Sequence, residues 1–512
     1  MFQNVPWLSL LILLPLLGAL VLLSMRGSVR QVSFNARRVA LWTTGVTFLV
    51  SLYILSNFDG ADVGYQFVEQ VRWLSWIRVT YALGVDGISL PFILLTTFLT
   101  ISAILISWES IQENVREYMA CFLFLESMII GMFCATDVLL FYIFFEAILI
   151  PMFLIIGIWG GERRVYSTFK FFFYTLTGSV FLLVAILYMY GETGTFEMLQ
   201  LFAYHFSPET QHILWLAFFA SFAVKLPLWP FHTWLPDAHV EAPTAGSVML
   251  AGVLLKAGGY GFIRLSIPLF PDASVFFAPL MLTLSVIAII YASCVALVQK
   301  DIKKLIAYSS VAHMGFVTLG LFSFTIDGVT GAMFQMISHG LISGGLFLCI
   351  GMIYERVHTR DMALLGGLVQ RMPQYAFCVM ILILGSIGLP GTSGFIGEFM
   401  SLIGIFQVNP VCGLLASTGI VLGATYGLWF YRKAILGQPS TLSPTALYDL
   451  KPREILILAP IIGLVIFGGI YPKPFLNMIT PSVKECVSIG QSKQNKPLSR
   501  VISLKGTTDH GL

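Results

Sequence analysis

Apolar residues gather along this chain in long runs, not in the spaced stripe of a soluble helix or the alternation of a half-buried strand. A helix that crosses a membrane needs about 20 mostly apolar residues. Such runs number about fourteen, centred near Leu16, Phe48, Thr97, Ile129, Leu149, Val180, Ala220, Val253, Ile287, Phe316, Gly344, Leu389, Val421 and Ile462. All are expected to be helices, because an open strand leaves its backbone polar groups unsatisfied in lipid. Asp137 is read as the break between two adjacent spans. The pattern predicts an all-α polytopic membrane protein.

Composition removes the soluble alternative. The 512 residues are 57% hydrophobic and 11% charged, with a mean hydropathy of +0.86. A soluble domain of that balance could not cover its apolar surface. The net charge of +3 is modest, and no basic run with interleaved aromatics points to nucleic acid. The seven cysteines are scattered without a C-x-x-C pair, so they signal neither an iron–sulfur cluster nor zinc and read as small apolar residues. The opening run from Trp7 to Met25 lacks a preceding basic region and a cleavage site, and is read as a retained first span.

Lysine and arginine placement gives the orientation. Odd-numbered loops gather Arg26, Arg30, Arg37 and Arg38, then Arg163, Arg164 and Lys170, then Lys300, Lys303 and Lys304, then Arg356, Arg360 and Arg371. Even-numbered loops hold only Arg72, Arg78 and Arg264. Odd loops are therefore placed on the cytoplasmic or matrix side, with the N-terminus outside. The basic tail from Lys473 to Lys505 falls on the outer side against this bias, and its polar end after Ser488 is expected to be mobile or pinned by a partner.

A weak internal repeat runs beneath these spans. Leu226-Pro227 followed by Phe231 echoes Leu389-Pro390 followed by Phe395, and Phe169 to Met189 aligns loosely with Phe334 to Tyr354. An odd number of spans separates the copies, so the second lies upside down relative to the first. Paired interrupted spans in an inverted repeat are the best sequence pointer to a transport site. The expected organisation is three N-terminal spans over 1–118, a five-helix repeat over 119–266 broken near 225–236, an inverted five-helix repeat over 267–436 broken near 385–400, and a last span with a polar tail over 437–512.

Ionisable side chains inside the apolar runs carry the chemistry. Each costs roughly 2.5–3.5 kcal/mol at the centre of a span, so each needs a partner or a water-lined position. Glu146 in LLFYIFFEAILIPMF is flanked by apolar turns too long for its short stem to escape. Lys225 is its counterpart of opposite sign, either as a staple between helices or as a pair whose loosening frees a proton. Pro227 and Pro230 deprive the carbonyls of Ala223 and Leu226 of their donors, which makes either a packing kink or a hydrated break. Lys256 is followed by Ala257, Gly258 and Gly259, small residues that leave room for water or serve tight helix contact. In GSIGLPGTSGFIGEF five glycines at a spacing of three fit an interrupted backbone ending in Glu398. His313 and His339 precede it and are read as a relay, with satisfied buried histidines as the plain alternative. Glu126 is given no role, and His232, Asp237, His239 and Glu241 are read as a polar connection near the inner surface.

The segments VKLPLWPFHTWLPDAHVEAPT, LLKAGGYGFIR and LPGTSGFIGEF, with LGVDGISLPF nearer the start, resemble the antiporter-like subunits of proton-pumping NADH–quinone oxidoreductase, respiratory complex I. Glutamate at position 398, where most of the family has lysine, and a short tail are similar to the branch called subunit M, the equivalent of mitochondrial subunit 4. The resemblance implies that Glu146 and Lys225 form a gating ion pair, Lys256 is the central carrier, His313 and His339 extend a hydrated axis, and Glu398 passes the proton outward. It implies no cofactor in this chain, with NADH, flavin, iron–sulfur clusters and quinone bound by partner subunits. The implied partners are the neighbouring antiporter-like subunits and lipid, in a bacterial inner membrane rather than a mitochondrial one. Two rivals share these features: a free-standing sodium/proton antiporter, which Glu398 argues against, and a proton-inert scaffold.

Overall fold

The computed structural model describes residues 5–74, 79–438 and 447–491. The helices begin with α1 (Trp7–Ser24) and α2 (Val29–Ser56). A two-stranded antiparallel hairpin follows, β1 (Gln66–Leu74) and β2 (Val79–Val85). Next come α3 (Leu90–Ser110), α4 (Val115–Cys134), α5 (Val138–Trp159) and α6 (Arg164–Thr193). A short α7 (Met198–Ala203) leads to α8 (Pro208–Lys225), α9 (Trp234–Glu241) and α10 (Thr244–Leu269). Then follow α11 (Pro271–Phe276), α12 (Ala278–Leu297), α13 (Ile302–Leu321), α14 (Ile326–Val357) and α15 (Leu368–Arg371). The chain closes with α16 (Pro373–Ser386), α17 (Ser393–Val408), α18 (Pro410–Leu436), α19 (Pro452–Ile470) and α20 (Lys473–Gln491).

Among the described residues, 11 helices are long and apolar enough to cross a membrane. The expected spans near Ala220, Phe316 and Leu389 are helical as well, as α8, α13 and the α16–α17 pair. Asp137 is a true break: its carboxylate caps α5 by accepting from the N–H groups of Leu139 and Leu140. The apolar middle stretches of α10 and α14 are wholly interior, whereas those of α2 and α18 leave most of their residues outward.

Several cations assigned to loops lie inside helices instead. Arg264 sits in α10, Lys303 in the first turn of α13 and Arg356 in the last turn of α14, all buried. Each is held by a partner distant in sequence, which charge counting along the chain could not show. Arg356 donates twice to Glu454 of α19, at 2.9 and 2.6 Å, with both side chains almost fully enclosed. Arg264 donates to Asp86, Tyr260 and Tyr65.

The hairpin and α20 cap one end of the bundle, the end that the basic bias assigns to the outside. Glu69 on β1 accepts from the backbone N–H groups of Leu8 at 2.7 Å and Ser9 at 3.0 Å, closing the first turn of α1 where no side chain of its own does so. Helix α20 turns Ile479, Ser482, Val483 and Val487 inward on one face and leaves Lys473 and Lys484 exposed. Its Ser482 hydroxyl accepts from the N–H of Gly87 at 3.2 Å. The end of the tail, residues 492–512, lies outside the described residues.

At the centre, α10 lies tight against the broken end of α8. A methyl group on Gly258 would stand 2.6 Å from the backbone nitrogen of Leu226 and the carbonyl of Phe222. Gly397 is pressed as closely on α14, where a methyl would meet Gln335 at 2.5 Å. Overpacking of that kind costs about 1–3 kcal/mol. Gly258→Ala is therefore expected to lower the thermal unfolding midpoint of the detergent-purified protein, and an unchanged midpoint would contradict the contact. Removing one member of a buried ion pair costs about 3–5 kcal/mol because the other charge is stranded. Glu454→Ala should accordingly lower the amount of assembled protein far more than Glu109→Ala, whose exposed carboxylate meets Lys451 and Arg453 at the surface. Immunoblots of isolated membranes measure both.

Candidate functional site

Helix α8 ends at Lys225, and the chain crosses to α9 through Leu226-Pro227 and Trp229-Pro230. Of the two carbonyls expected to be freed there, that of Ala223 is taken up by protein, as is that of its neighbour Val224. Ala223 accepts from the N–H of Leu228 at 2.9 Å, and Val224 accepts from the indole of Trp234 at 2.9 Å. The second break repeats the solution, with the Leu389 N–H on the Leu384 carbonyl at 2.9 Å. Gly388 and Gly391 turn the chain there with φ of +72° and +93°, a region that favours glycine. The other glycines of that run are contact residues: Gly394 backs onto the Gly385 carbonyl and Gly397 onto Gln335. Gly258 and Gly259, read as room for water or as tight helix contact, are contact residues against Leu226, Phe222 and Met336.

The expected pair is present and loose. Lys225 stands 3.9 Å from Glu146, and its shorter bond, 2.7 Å, goes to the carbonyl of Phe145. The ammonium also lies over the Phe145 ring. Ser179 of α6 adjoins the carboxylate. Glu146 sits beside an irregular turn at Ile148 within α5. A small cavity lined by Ile148, Thr175, Lys225, Leu254 and Ala257 leads from the pair to the helix that carries Lys256.

Lys256 has no exposed surface. It lies between two π-turns of α10, Leu250–Leu254 and Phe262–Ser266. Its Nζ bonds the Ala251 carbonyl at 2.5 Å and Nδ1 of His339 at 2.8 Å. The His339 and His313 rings follow at 5.5 Å between centroids. Nδ1 of His313 meets Glu398 at 2.6 Å, and its Nε2 meets the Ser386 hydroxyl at 3.1 Å. Gln335 donates to the same Glu398 oxygen at 3.0 Å. A small cavity between the histidines is lined by Ser309, Gln335, Ser343 and Ser386 among others. The structure thus brings Lys256, His339, His313 and Glu398 into one contact sequence, with Glu146 and Lys225 as a separate cluster across the first cavity.

Sequence reasoning missed Gln335 and Ser386, whose type carries no sign of a bond to Glu398 or His313. The inner polar connection divides. Asp237 is partly exposed and bonds Lys170 at 2.6 Å, as a surface connection would. Glu241, which accepts from the N–H of Arg163 at 2.9 Å, and His232 and His239 are buried instead. Glu126 is enclosed too, with no hydrogen-bond partner for either oxygen among the described residues.

Residues 135–423, more than half the chain, match the family described as NADH:quinone oxidoreductase/Mrp antiporter, transmembrane region. The chain is 52% identical to NADH-quinone oxidoreductase subunit M of Rhodobacter capsulatus, over 94% of its own length and 96% of the relative. It is 49% identical to NADH-ubiquinone oxidoreductase chain 4 of Marchantia polymorpha, over 94% and 97%. Its fold matches a chain in the structure of respiratory complex I from Thermus thermophilus with bound NADH, with a TM-score of 0.86 and 31% identity, covering 94% of this chain and 99% of that one. A chain of an archaeal membrane-bound sulfane sulfur reductase shares the fold at a TM-score of 0.80 and 22% identity, over 91% and 76%. This chain belongs to the NADH:quinone oxidoreductase/Mrp antiporter transmembrane family.

Proposed function

We propose that this chain is a proton-translocating membrane subunit of NADH–quinone oxidoreductase, moving protons along its buried Glu, Lys and His side chains while NADH oxidation and quinone reduction take place on partner subunits. The observation that carries the reading is the contact sequence Lys256–His339–His313–Glu398 inside the helix bundle, closed at 2.8 Å and 2.6 Å at its two ends. The near-full-length likeness to subunit M of Rhodobacter capsulatus supports the partner enzyme and a bacterial inner membrane. The redox cofactors belong to the partners in this reading.

Each group takes a role from its place. Lys225 gives up its proton when the attraction of Glu146 weakens. Lys256 holds the proton mid-path, His339 and His313 hand it on, and Glu398 delivers it towards the outside. Each proton moved outward against 100 mV costs about 2.3 kcal/mol, which the redox reaction must supply. The proposed organisation is fourteen passes with inverted five-helix repeats over 119–266 and 267–436. The identical five-residue reach of the closing bonds, Leu228 to Ala223 and Leu389 to Leu384, supports that pairing of the two breaks.

Replacing a group that transfers a proton typically costs about 100-fold to 10,000-fold. Lys225→Ala and Glu146→Ala are each expected to reduce quinone-linked proton uptake by reconstituted vesicles to about a tenth or less of wild type, with the complex still assembled on native gels. Wild-type proton-to-electron ratios in both variants would refute the reading. Purification without flavin and iron–sulfur partners would favour a free-standing antiporter instead.

A further inference from the structure

We propose that Glu126 is a side site that exchanges a proton with Lys256, an inference that rests on the proton-translocating reading above. Glu126 lies in the middle of α4, has no exposed surface, and leaves both carboxyl oxygens without a hydrogen-bond partner among the described residues. A carboxylate enclosed without a cation or a donor is too costly to hold, so the group rests as the neutral acid. Polar side-chain atoms buried in this way are nearly always bonded. A residue that only filled space would not carry two unmet oxygens.

The packing of α4 on α3 gives the acid its address. The two helices run antiparallel, with the Tyr118 and Ser107 hydroxyls 3.1 Å apart at one end and the Phe133 and Phe92 rings 5.1 Å between centroids at the other. The two anchors are equally far apart along both helices, which places position 126 opposite Leu99. Phe133 lies two turns beyond Glu126 on the same face, at 3.6 residues per turn, and its ring also meets Tyr260 of α10 at 5.0 Å. That face therefore looks towards α3 and α10. Leu99 is in turn pressed on Gly252 of α10, where an added methyl group would strike it. Gly252 follows Ala251, whose carbonyl holds the Lys256 ammonium. One turn away Leu95 is pressed in the same way on Gly340 of α14, the neighbour of His339. Leu95 and Leu99 thus form one apolar layer between the acid and the Lys256–His339 contact.

The walls suit a neutral acid. Thr96 and Thr100 flank Leu99 on α3, both buried, and each hydroxyl donates to the carbonyl four residues back, Thr96 to Phe92 at 2.6 Å and Thr100 to Thr96 at 2.8 Å. With its own proton engaged, each hydroxyl keeps lone pairs that can accept another. In the proposed step the O–H bond of Glu126 breaks, its proton crosses by water admitted past Leu99, and an N–H bond forms on the Lys256 amine. A carboxylate and an ammonium remain, attracting each other across the layer. Lys256 then hands its proton to His339, and the next proton to reach Lys256 restores the acid. Glu126 so supplies the negative charge that Lys256 lacks at its own contacts.

Glu126→Gln keeps the shape and removes the exchanging proton. It is expected to lower quinone-linked proton uptake by reconstituted vesicles by about threefold or more, with assembly on native gels retained, whereas Glu126→Asp, still an acid, should lose less. Where Glu126→Gln fails to assemble, Glu126→Leu, which carries no unmet oxygen, is held to the same threshold; a structural role predicts that it pumps normally. Infrared difference spectra of the purified complex, with and without NADH, give the second readout. A protonated-carboxyl C=O band should weaken on turnover, shift in Glu126→Asp, and stop responding in Lys256→Ala. A smaller loss of uptake in the assembled variant, or no carboxyl band with that behaviour, overturns the side site. Lys256→Ala also separates the two levels: normal pumping there ends the proton-translocating reading itself, whereas loss in Lys256→Ala with normal pumping in Glu126→Gln removes Glu126 alone.

Discussion

An ammonium group removed from water must find acceptors inside the protein, and Lys256 finds two that carry no formal negative charge. The Ala251 carbonyl and Nδ1 of His339 take two of its three donors, and among the described residues no carboxylate pairs with it. Holding a charge that way is costly unless the proton is shared or moved on. Much of the neighbouring structure serves that condition. The π-turn over Leu250–Leu254 lies just ahead of the lysine and contains the carbonyl it bonds, and irregular turns of this type recur at functional sites. The middle of helix α14 is wholly buried, so His339 faces the lysine with no lipid between them.

Broken helices would ordinarily expose backbone groups that the bilayer cannot satisfy. Here each break closes part of its bonding internally, by an N–H reaching back five residues and, at the first, by the indole of Trp234. What they supply is geometry. Lys225 ends one interrupted helix, and Glu398 lies in the first turns of another, so each charge sits at mid-bundle on a segment end rather than on a continuous rod. Titratable groups at segment ends can shift without bending a whole helix.

Apolar run length was enough to locate the helices, because burial in lipid demands it whatever the tertiary contacts. The same logic exposed Glu146, Lys225, Lys256, His313, His339 and Glu398, since an ionisable group inside such a run is conspicuous. What stayed hidden depends on contacts between distant segments. Gly258 and Gly259 read equally as space for water and as close contact, and only the position of Leu226, Phe222 and Met336 decides for contact. Helix α20 is amphipathic and too polar to register as a span, yet it covers the bundle end through Ile479, Val483 and Val487. Arg264 and Arg356 looked like loop charges because their partners, Asp86 and Glu454, lie 178 and 98 residues away in sequence. His239 sits in a stretch rich in polar residues, so nothing local distinguishes it from Asp237, which meets Lys170 nearer the surface.

The links of the path are not alike, and the difference bears on how it works. A network in which every donor and acceptor is closely matched becomes a rigid fixture. The His313–Glu398 link is of that kind, at 2.6 Å with Gln335 and Ser386 completing it. Lys225 is different, for its closer bond is to the Phe145 carbonyl while Glu146 stands at 3.9 Å. At that separation the attraction is about 4 kcal/mol for an effective dielectric of 20, whereas enclosing the two ions costs several kcal/mol each. Terms of similar size and opposite sign leave a balance that a small displacement tips. Two acceptors on adjacent residues, one neutral and one charged, give the ammonium a way to move between them without leaving the site. In the proposed proton path, control would rest on this loose contact, and the tight links downstream would carry what it releases.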